Sequence, residues 1–295
     1  MAIPQSQLET WAKQGAAIGS RDTYATVRRA LEAPGNGYSA RNYKIFLQGS
    51  YGNDTNIWSE SDVDVVIRLD SIYFYDTSSL NPFHLQQFNA TFVPGDYSYD
   101  DYKRHVKAAL ESAFGKADVS DGKKAFKIKP SGNRRSADVL AAALFRRYSS
   151  GLYGMSIESG ICFFNSTGDR IVNYPDQHSA NCTAKHQSTG GRFKPMVRIF
   201  KNMRSRLVNE GTIGDGVAPS YYIEGLLHNV PNDKFQNSLV DTVVDSVTWI
   251  LQANLAAFRC ANQQYLLFGN SAVQWPEANY TVFINALIEM WNNWR

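Results

Sequence analysis

Apolar positions recur at helical spacing between Arg21 and Ala33, where Tyr24, Val27 and Leu31 share one side. Ala33-Pro34-Gly35-Asn36-Gly37 then stops the pattern with Pro and Gly punctuation. The pattern changes period after that. Lys44 to Gln48 reads as a short strand, and Ser61 to Leu69 as a second, rich in Val and Ile, with acids at alternate places near its start. An aromatic stretch from Ser71 to Pro94 shows no period and reads as loop; Tyr99 to Ala113 returns to helix. Strands are predicted at Ala117 to Ser120, Lys124 to Lys129 across an Asp121-Gly122 turn, and Ala137 to Leu144. A hairpin is predicted from Ile161 to Phe164 and Arg170 to Asn173.

From Pro175 the periodicity is helical: Arg192 to Asn209, Ser220 to Asn229, Lys234 to Phe258 and Glu277 to Trp294. The layout predicts an α+β protein with strands and a leading helix in 1–174 and a helical lobe in 175–295. Two lobes with a cleft between them, spanned by the leading helix, is the expected architecture.

Composition narrows the class. The 295 residues are 43% hydrophobic and 19% charged, which suits a globular protein and excludes a disordered one. A net charge of +3 suits an anionic small molecule and does not call for a long nucleic acid. Three cysteines, Cys162, Cys182 and Cys260, are odd in number and follow no disulfide spacing, which points to a reducing compartment. The start, Met-Ala-Ile-Pro-Gln-Ser, shows no signal peptide, and no apolar run is long enough to span a bilayer. A cytoplasmic protein is the expectation.

Candidate chemistry concentrates between Gln48 and Ile67. A strand ends at Gly49, where a residue without Cβ permits a sharp turn, and Ser50 opens a helical turn. Free amides and a hydroxyl there suit the phosphates of a nucleoside triphosphate. After residues 51–61 come Asp62 and Asp64, two apart in a strand and hence on one face, with Val63 and Val65 toward the core. Paired carboxylates repel unless a cation lies between them, and hard oxygen ligands select magnesium or manganese. In nucleotidyl transfer two such ions, roughly 3.5–4 Å apart, clamp the attacking and leaving oxygens. A third carboxylate is then required. Asp138 fits best, because it opens an otherwise apolar strand; Asp118 and Asp121 belong to a turn.

Gln48-Gly49-Ser50-Tyr51-Gly52-Asn53-Asp54-Thr55-Asn56-Ile57, then Ser61-Asp62-Val63-Asp64-Val65-Val66-Ile67, resembles the DNA-polymerase-β-like nucleotidyltransferases. Within them it is similar to the cyclic GMP-AMP synthase/DncV-like (CD-NTase) enzymes of bacterial antiphage signalling. Ala137-Asp138-Val139-Leu140-Ala141-Ala142 resembles their third-acid strand. The likeness continues through Asn173 to His178, Phe193 to Lys201 and Pro219 to Glu224, covering roughly residues 20 to 290. It implies a polymerase-β-like core of mixed sheet and helices with a C-terminal helical lobe. It also implies a synthase that joins triphosphates, ATP and GTP foremost, into a cyclic oligonucleotide whose diffusible form reaches an effector. Two magnesium ions, or manganese, would sit on Asp62, Asp64 and Asp138.

The helix from Arg192 carries Lys194, Arg198 and Lys201 on one side and Met196, Ile199, Met203 and Leu207 on the other. The plain reading is a wet basic face, and it holds for Arg204 and Arg206. For Lys201 the resemblance implies a contact with triphosphate oxygens. Ser220 and Tyr221 precede a helix expected near Ile223; Ser220 fits an N-cap equally well as the triphosphate or ribose contact that the resemblance implies. His178, Cys182 and His186 align on one helical face but lack a fourth metal ligand, so they read as ordinary helix residues. The rivals are a linear oligonucleotide or RNA nucleotidyltransferase, an antitoxin-type adenylyltransferase, and a catalytically dead nucleotide sensor.

Overall fold

The computed structural model describes residues 2–15, 18–58 and 62–294. In chain order the elements are α1 Gln5–Ala12, α2 Ile18–Leu31, β1 Tyr43–Leu47, α3 Gly49–Gly52 and β2 Val63–Ser79. Then come α4 Pro82–Thr91, α5 Tyr99–Phe114, β3 Val119–Asp121, β4 Phe126–Ile128, β5 Ala137–Gly151, β6 Gly154–Phe164 and β7 Arg170–Asn173. The helices α6 Pro175–Ser188, α7 Phe193–Asn209, α8 Ser220–Asn229, α9 Leu239–Gln252 and α10 Glu277–Asn292 complete the chain. They form two compact units, each discontinuous: Ile18–Gln48 with Asp62–Tyr174, and Met1–Ala17 with Gly49–Ser61 and Pro175–Arg295.

The first of these holds a seven-stranded mixed sheet in the order β1-β2-β5-β4-β3, with β6 on the far half of β5 and β7 on β6. Only β2 and β5 pair in parallel among the described strands. Parallel neighbours need a long crossover, and here it carries α4, α5, β3 and β4. Alternation then sorts the residues. Val63, Val65, Ile67 and Leu69 of β2 and Ala137, Val139 and Ala141 of β5 are buried, and α2 and α5 pack against these strands. Two tyrosines of α5 pin it there: the Tyr102 hydroxyl donates to the Ile67 carbonyl and that of Tyr99 to the Ala141 carbonyl, both at 2.8 Å.

The stretch from Ser71 to Pro94 is not a loop. β2 continues to Ser79, and α4 starts where the Asn81 side chain accepts from the His84 amide and Pro82 sits at the first turn. Tyr75, Phe88 and Phe92 form a ring cluster with centroids 4.9–5.5 Å apart. Aromatic residues on both faces erase the alternation that would have marked the strand. Ser61, expected to open β2, lies outside the described residues.

The second unit is helical, with α7 packed against α1, α6, α8, α9 and α10. Ile3, Leu8, Phe193, Phe200, Met203, Leu226, Trp275 and Phe283 belong to its core. α1 adds to the helices expected from the sequence, and α6 is the helix expected to carry His178, Cys182 and His186. α9 starts later than its periodicity predicts because the Ser238 hydroxyl accepts from the Asp241 amide and caps it. Cys162, Cys182 and Cys260 are all unpaired and buried. No helix among the described residues is long and apolar enough to cross a membrane.

Candidate active site

Asp64 and Asp138 are direct partners across the parallel β2–β5 ladder, and Lys127 is the partner of Asp138 on the other side. Partners on adjacent strands share a face. The rungs on either side, Val63–Ala137–Ile128 and Val65–Val139–Phe126, are buried in every position. A charged row therefore crosses the end of the sheet on the face away from these two rungs, ahead of the buried Val66 and Ala142 on its own face. Asp62, one step before β2, accepts a hydrogen bond from the Ser136 hydroxyl, while the Val63 amide donates to the Ser136 carbonyl at 3.1 Å. Two chain entries, at Asp62 and Ser136, are thus tied side by side.

Burial pushes the Asp138 carboxyl above its usual range, and the charge of Asp62 adds to this while Lys127 opposes it. Three carboxylates supplying only hard oxygens suit a divalent cation. The rival acids are committed elsewhere. Asp121 pairs with Lys107 at 2.5 Å, and Asp118 lies 3.6 Å from Arg134.

Gly49 and Ser50 fall in the helical unit. Gly49 has φ +66, a left-handed conformation that a Cβ would make costly. The turn it starts is closed by the Asn53 amide on the Gly49 carbonyl at 3.1 Å and by the Thr55 amide on that of Ser50 at 2.9 Å.

The basic side of α7 is not wet. Lys194 is 7% exposed and Lys201 0%. Lys194 Nζ donates to Asp54 Oδ2 at 3.0 Å, and Arg198 Nη1 to the Asp54 carbonyl at 2.7 Å. Lys201 Nζ donates to the Thr55 carbonyl at 2.8 Å. The three cations at this helical spacing converge on two consecutive residues. Arg204 is half-buried too and donates to the Ala218 carbonyl at 3.1 Å; Arg206 pairs with Glu210.

Glu224 of α8, which the sequence reading left without a role, lies beneath the same segment and is 3% exposed. Its carboxylate accepts from His178 Nε2 at 2.6 Å, from Asn53 Nδ2 at 3.2 Å, and from the Thr55 hydroxyl. Burial alone would raise this carboxyl. The hydrogen bond and charge of His178, the charge of Lys201 and the Thr55 hydroxyl outweigh burial and hold it below its ordinary value. The signal for Glu224 was an acid in an otherwise apolar helical run.

His178, Cys182 and Glu224 bring ligand atoms within 4.8 Å of one another. The carboxylate already accepts three donors and faces the Lys201 charge, and burial pushes the Cys182 thiol well up. A dication would displace those donors beside an ammonium group, so the trio reads as a balanced polar core. His186 accepts from the Lys194 amide at 3.3 Å.

Ser220 is the first residue of α8, and Pro219, not Ser220, is its cap. Tyr221 stacks on His178 with ring centroids 4.9 Å apart.

Residues 180–292 match the family described as the cGAS/DncV-like nucleotidyltransferase C-terminal helical domain. The cyclic UMP-AMP synthase of Rhodothermus marinus is 36% identical over 297 residues, 100% of this chain and 99% of its own. The structure of that CdnE protein with Apcpp and Upnpp superposes with a TM-score of 0.88, at 35% identity, over 99% of this chain and 97% of the other. The cyclic nucleotide synthase CdnE01 of Staphylococcus haemolyticus is 34% identical over the full length of both. The structure of the Elizabethkingia meningoseptica CdnE cyclic dinucleotide synthase with GTP and Apcpp gives a TM-score of 0.79, at 28% identity, over 98% of each chain.

Proposed function

The chain belongs to the cGAS/DncV-like nucleotidyltransferases, and from that premise we propose that it joins two nucleoside triphosphates into a cyclic dinucleotide with release of pyrophosphate. The carrying observation is the row in which Asp64 stands beside Asp138 on one face of β2 and β5, with Asp62 tied to Ser136 next to it. Like charges on one rung cost stability, so the row serves a ligand.

Asp62, Asp64 and Asp138 would hold magnesium. When bound, such an ion would supply charge neutralisation for the phosphoryl transfer. Asp138, its carboxyl raised by burial, takes the proton of the acceptor ribose hydroxyl. That oxygen then attacks the α-phosphorus in line, and pyrophosphate departs. Gly49 and Ser50 hold the leaving phosphates through backbone amide and hydroxyl. Ser220, in the first turn of α8, contacts the triphosphate or ribose. A second round, with the linear intermediate turned over, closes the ring.

ATP is one substrate, because adenine nucleotides stand in the descriptions of both solved relatives. UTP accompanies it in the Rhodothermus name and GTP in the Elizabethkingia structure, so both belong in the assay beside the purine pair expected from the sequence. The product acts as a diffusible antiphage signal, as the resemblance implies.

Purified protein incubated with magnesium and labelled triphosphates, singly and in pairs, tests this reading. A small phosphatase-resistant product supports it and identifies the bases. A ladder of linear products would identify an RNA-tailing enzyme instead, label on protein an adenylyltransferase, and no turnover a sensor.

A further inference from the structure

We propose that Glu224, seated on His178 and Lys201, is a positioning residue that fixes Asn53 and Thr55 and through them aims the Gly49–Ser50 turn at the triphosphate. This rests on the reading of Gly49 and Ser50 as phosphate holders.

Four consecutive residues after the turn are each tied down by a side chain. Asn53 and Thr55 donate to Glu224, and Lys194 and Arg198 grip Asp54. Asn56 accepts from Gln14 at 2.8 Å and donates to the Gly15 carbonyl at 3.2 Å. The partners come from α7, α8 and the stretch after α1, and α6 supplies His178 to Glu224. Asp54 has φ +56, a conformation uncommon outside glycine that persists where the surroundings over-determine it. A loop needed only to connect two elements does not require a bond at every residue.

The chemistry of the anchor agrees. A buried ion pair is often no more stable than apolar residues of the same volume, so stability alone is a weak reason to bury Glu224 against His178 within reach of the Lys201 charge. What charged hydrogen bonds add is geometry. Glu224 reads the Thr55 hydroxyl, Lys201 reads the carbonyl of the same residue, and only one placement of Thr55 satisfies both. The Thr55 amide in turn closes on the Ser50 carbonyl. The path from Glu224 to Ser50 has two hydrogen bonds.

Four variants of the full chain test the assignment: Glu224→Gln, Thr55→Val, Thr55→Ser and Ser50→Ala. Thermal unfolding establishes the folded fraction, and KM and kcat for the triphosphate are then measured on folded protein. Glu224→Gln and Thr55→Val are expected to raise KM about tenfold while kcat falls less than threefold, because contacts to phosphates present in both ground and transition states are loosened. Thr55→Ser keeps the hydroxyl and recovers most of the affinity lost in Thr55→Val. A purely structural role would lower the melting temperature and the active fraction and leave KM unchanged. Should Glu224→Gln fail to fold, Asn53→Ala removes the longest bond and is expected to raise KM about threefold. If Ser50→Ala raises KM while the Glu224, Thr55 and Asn53 variants stay within twofold, the positioning role is wrong. If Ser50→Ala also leaves KM unchanged, the phosphate-holding reading fails and takes this inference with it.

Discussion

Asp64 and Asp138 stand on the same rung of two parallel strands, although 73 residues follow Asp64 before the chain reaches Asp138. Carboxylates directly opposite one another repel, and the rungs above and below are apolar and buried. Either acid could be replaced by a neutral residue at no cost to the core.

Asp62→Asn combined with Asp64→Asn is therefore expected to abolish product while the melting temperature stays equal or rises, since two like charges have been removed. Circular dichroism melts and the labelled-triphosphate assay check both halves. Substantial product from the folded double variant would move the active site elsewhere.

Asp138→Ala should separate binding from turnover. On the proposed assignment Asp62, Asp64 and the phosphates would still hold the nucleotide with its cation, whereas the acceptor hydroxyl would lose its base. Each tenfold loss in rate corresponds to about 1.4 kcal/mol of barrier, and several such factors are expected. Calorimetric titration with a non-hydrolysable triphosphate should give near-normal affinity. Asp121→Ala breaks only an exposed pair with Lys107 and is expected to keep full activity. The opposite pattern would exclude Asp138.

Lys201→Ala is expected to cost about 3–5 kcal/mol in denaturant unfolding, because it leaves Glu224 and the Thr55 carbonyl buried beside a cavity. A variant within 1 kcal/mol of the parent, on the order of a minor surface change, would place the ammonium group outside the core.

His228 supplies a pH test. Burial, helped by the charges of Lys185 and His178, pushes its imidazole down from 6.5 to about 4. Folded protein thus keeps it neutral where unfolded chain protonates it. Between about pH 6.5 and pH 4 the unfolded state binds more protons, so stability falls as pH falls. His228→Gln should show a shallower loss of melting temperature between pH 7 and pH 5. An unchanged slope would assign the acid sensitivity to other groups.

The sequence displayed the acids and hid their company. Asp62 and Asp64 are two apart, which any strand turns to one face, and Asp138 heads an apolar run. Nothing in that spacing states that Asp64 and Asp138 share a rung, because register between distant strands is set by the whole sheet. Lys194, Arg198 and Lys201 share a side as their period requires. A lysine on a helix nevertheless reads as wet until its acceptors are known, and those lie 140 to 146 residues away. Glu224 was hidden in the same way, its Thr55 partner being 169 residues distant. The aromatic continuation of β2 was missed for a different reason: alternation fails when both faces are packed.

The unit that begins first in the chain is also the last to be completed. Asn53, Thr55 and Ile57 are made early, yet they belong with helices that end at Asn292. During synthesis the sheet can close once Tyr174 has emerged, because all seven strands precede it. Thr55, by contrast, is followed by 169 residues of translation before Lys201 and Glu224 can both bind it. A polypeptide begun at Pro175 would have the buried carboxylate of Glu224 and the ammonium of Lys201 but not the loop they grip. Such a fragment is expected to aggregate unless the peptide 49–58 is supplied with it. The turn at Gly49 and Ser50 thus reaches its final form only after the helices that grip the residues behind it have been made.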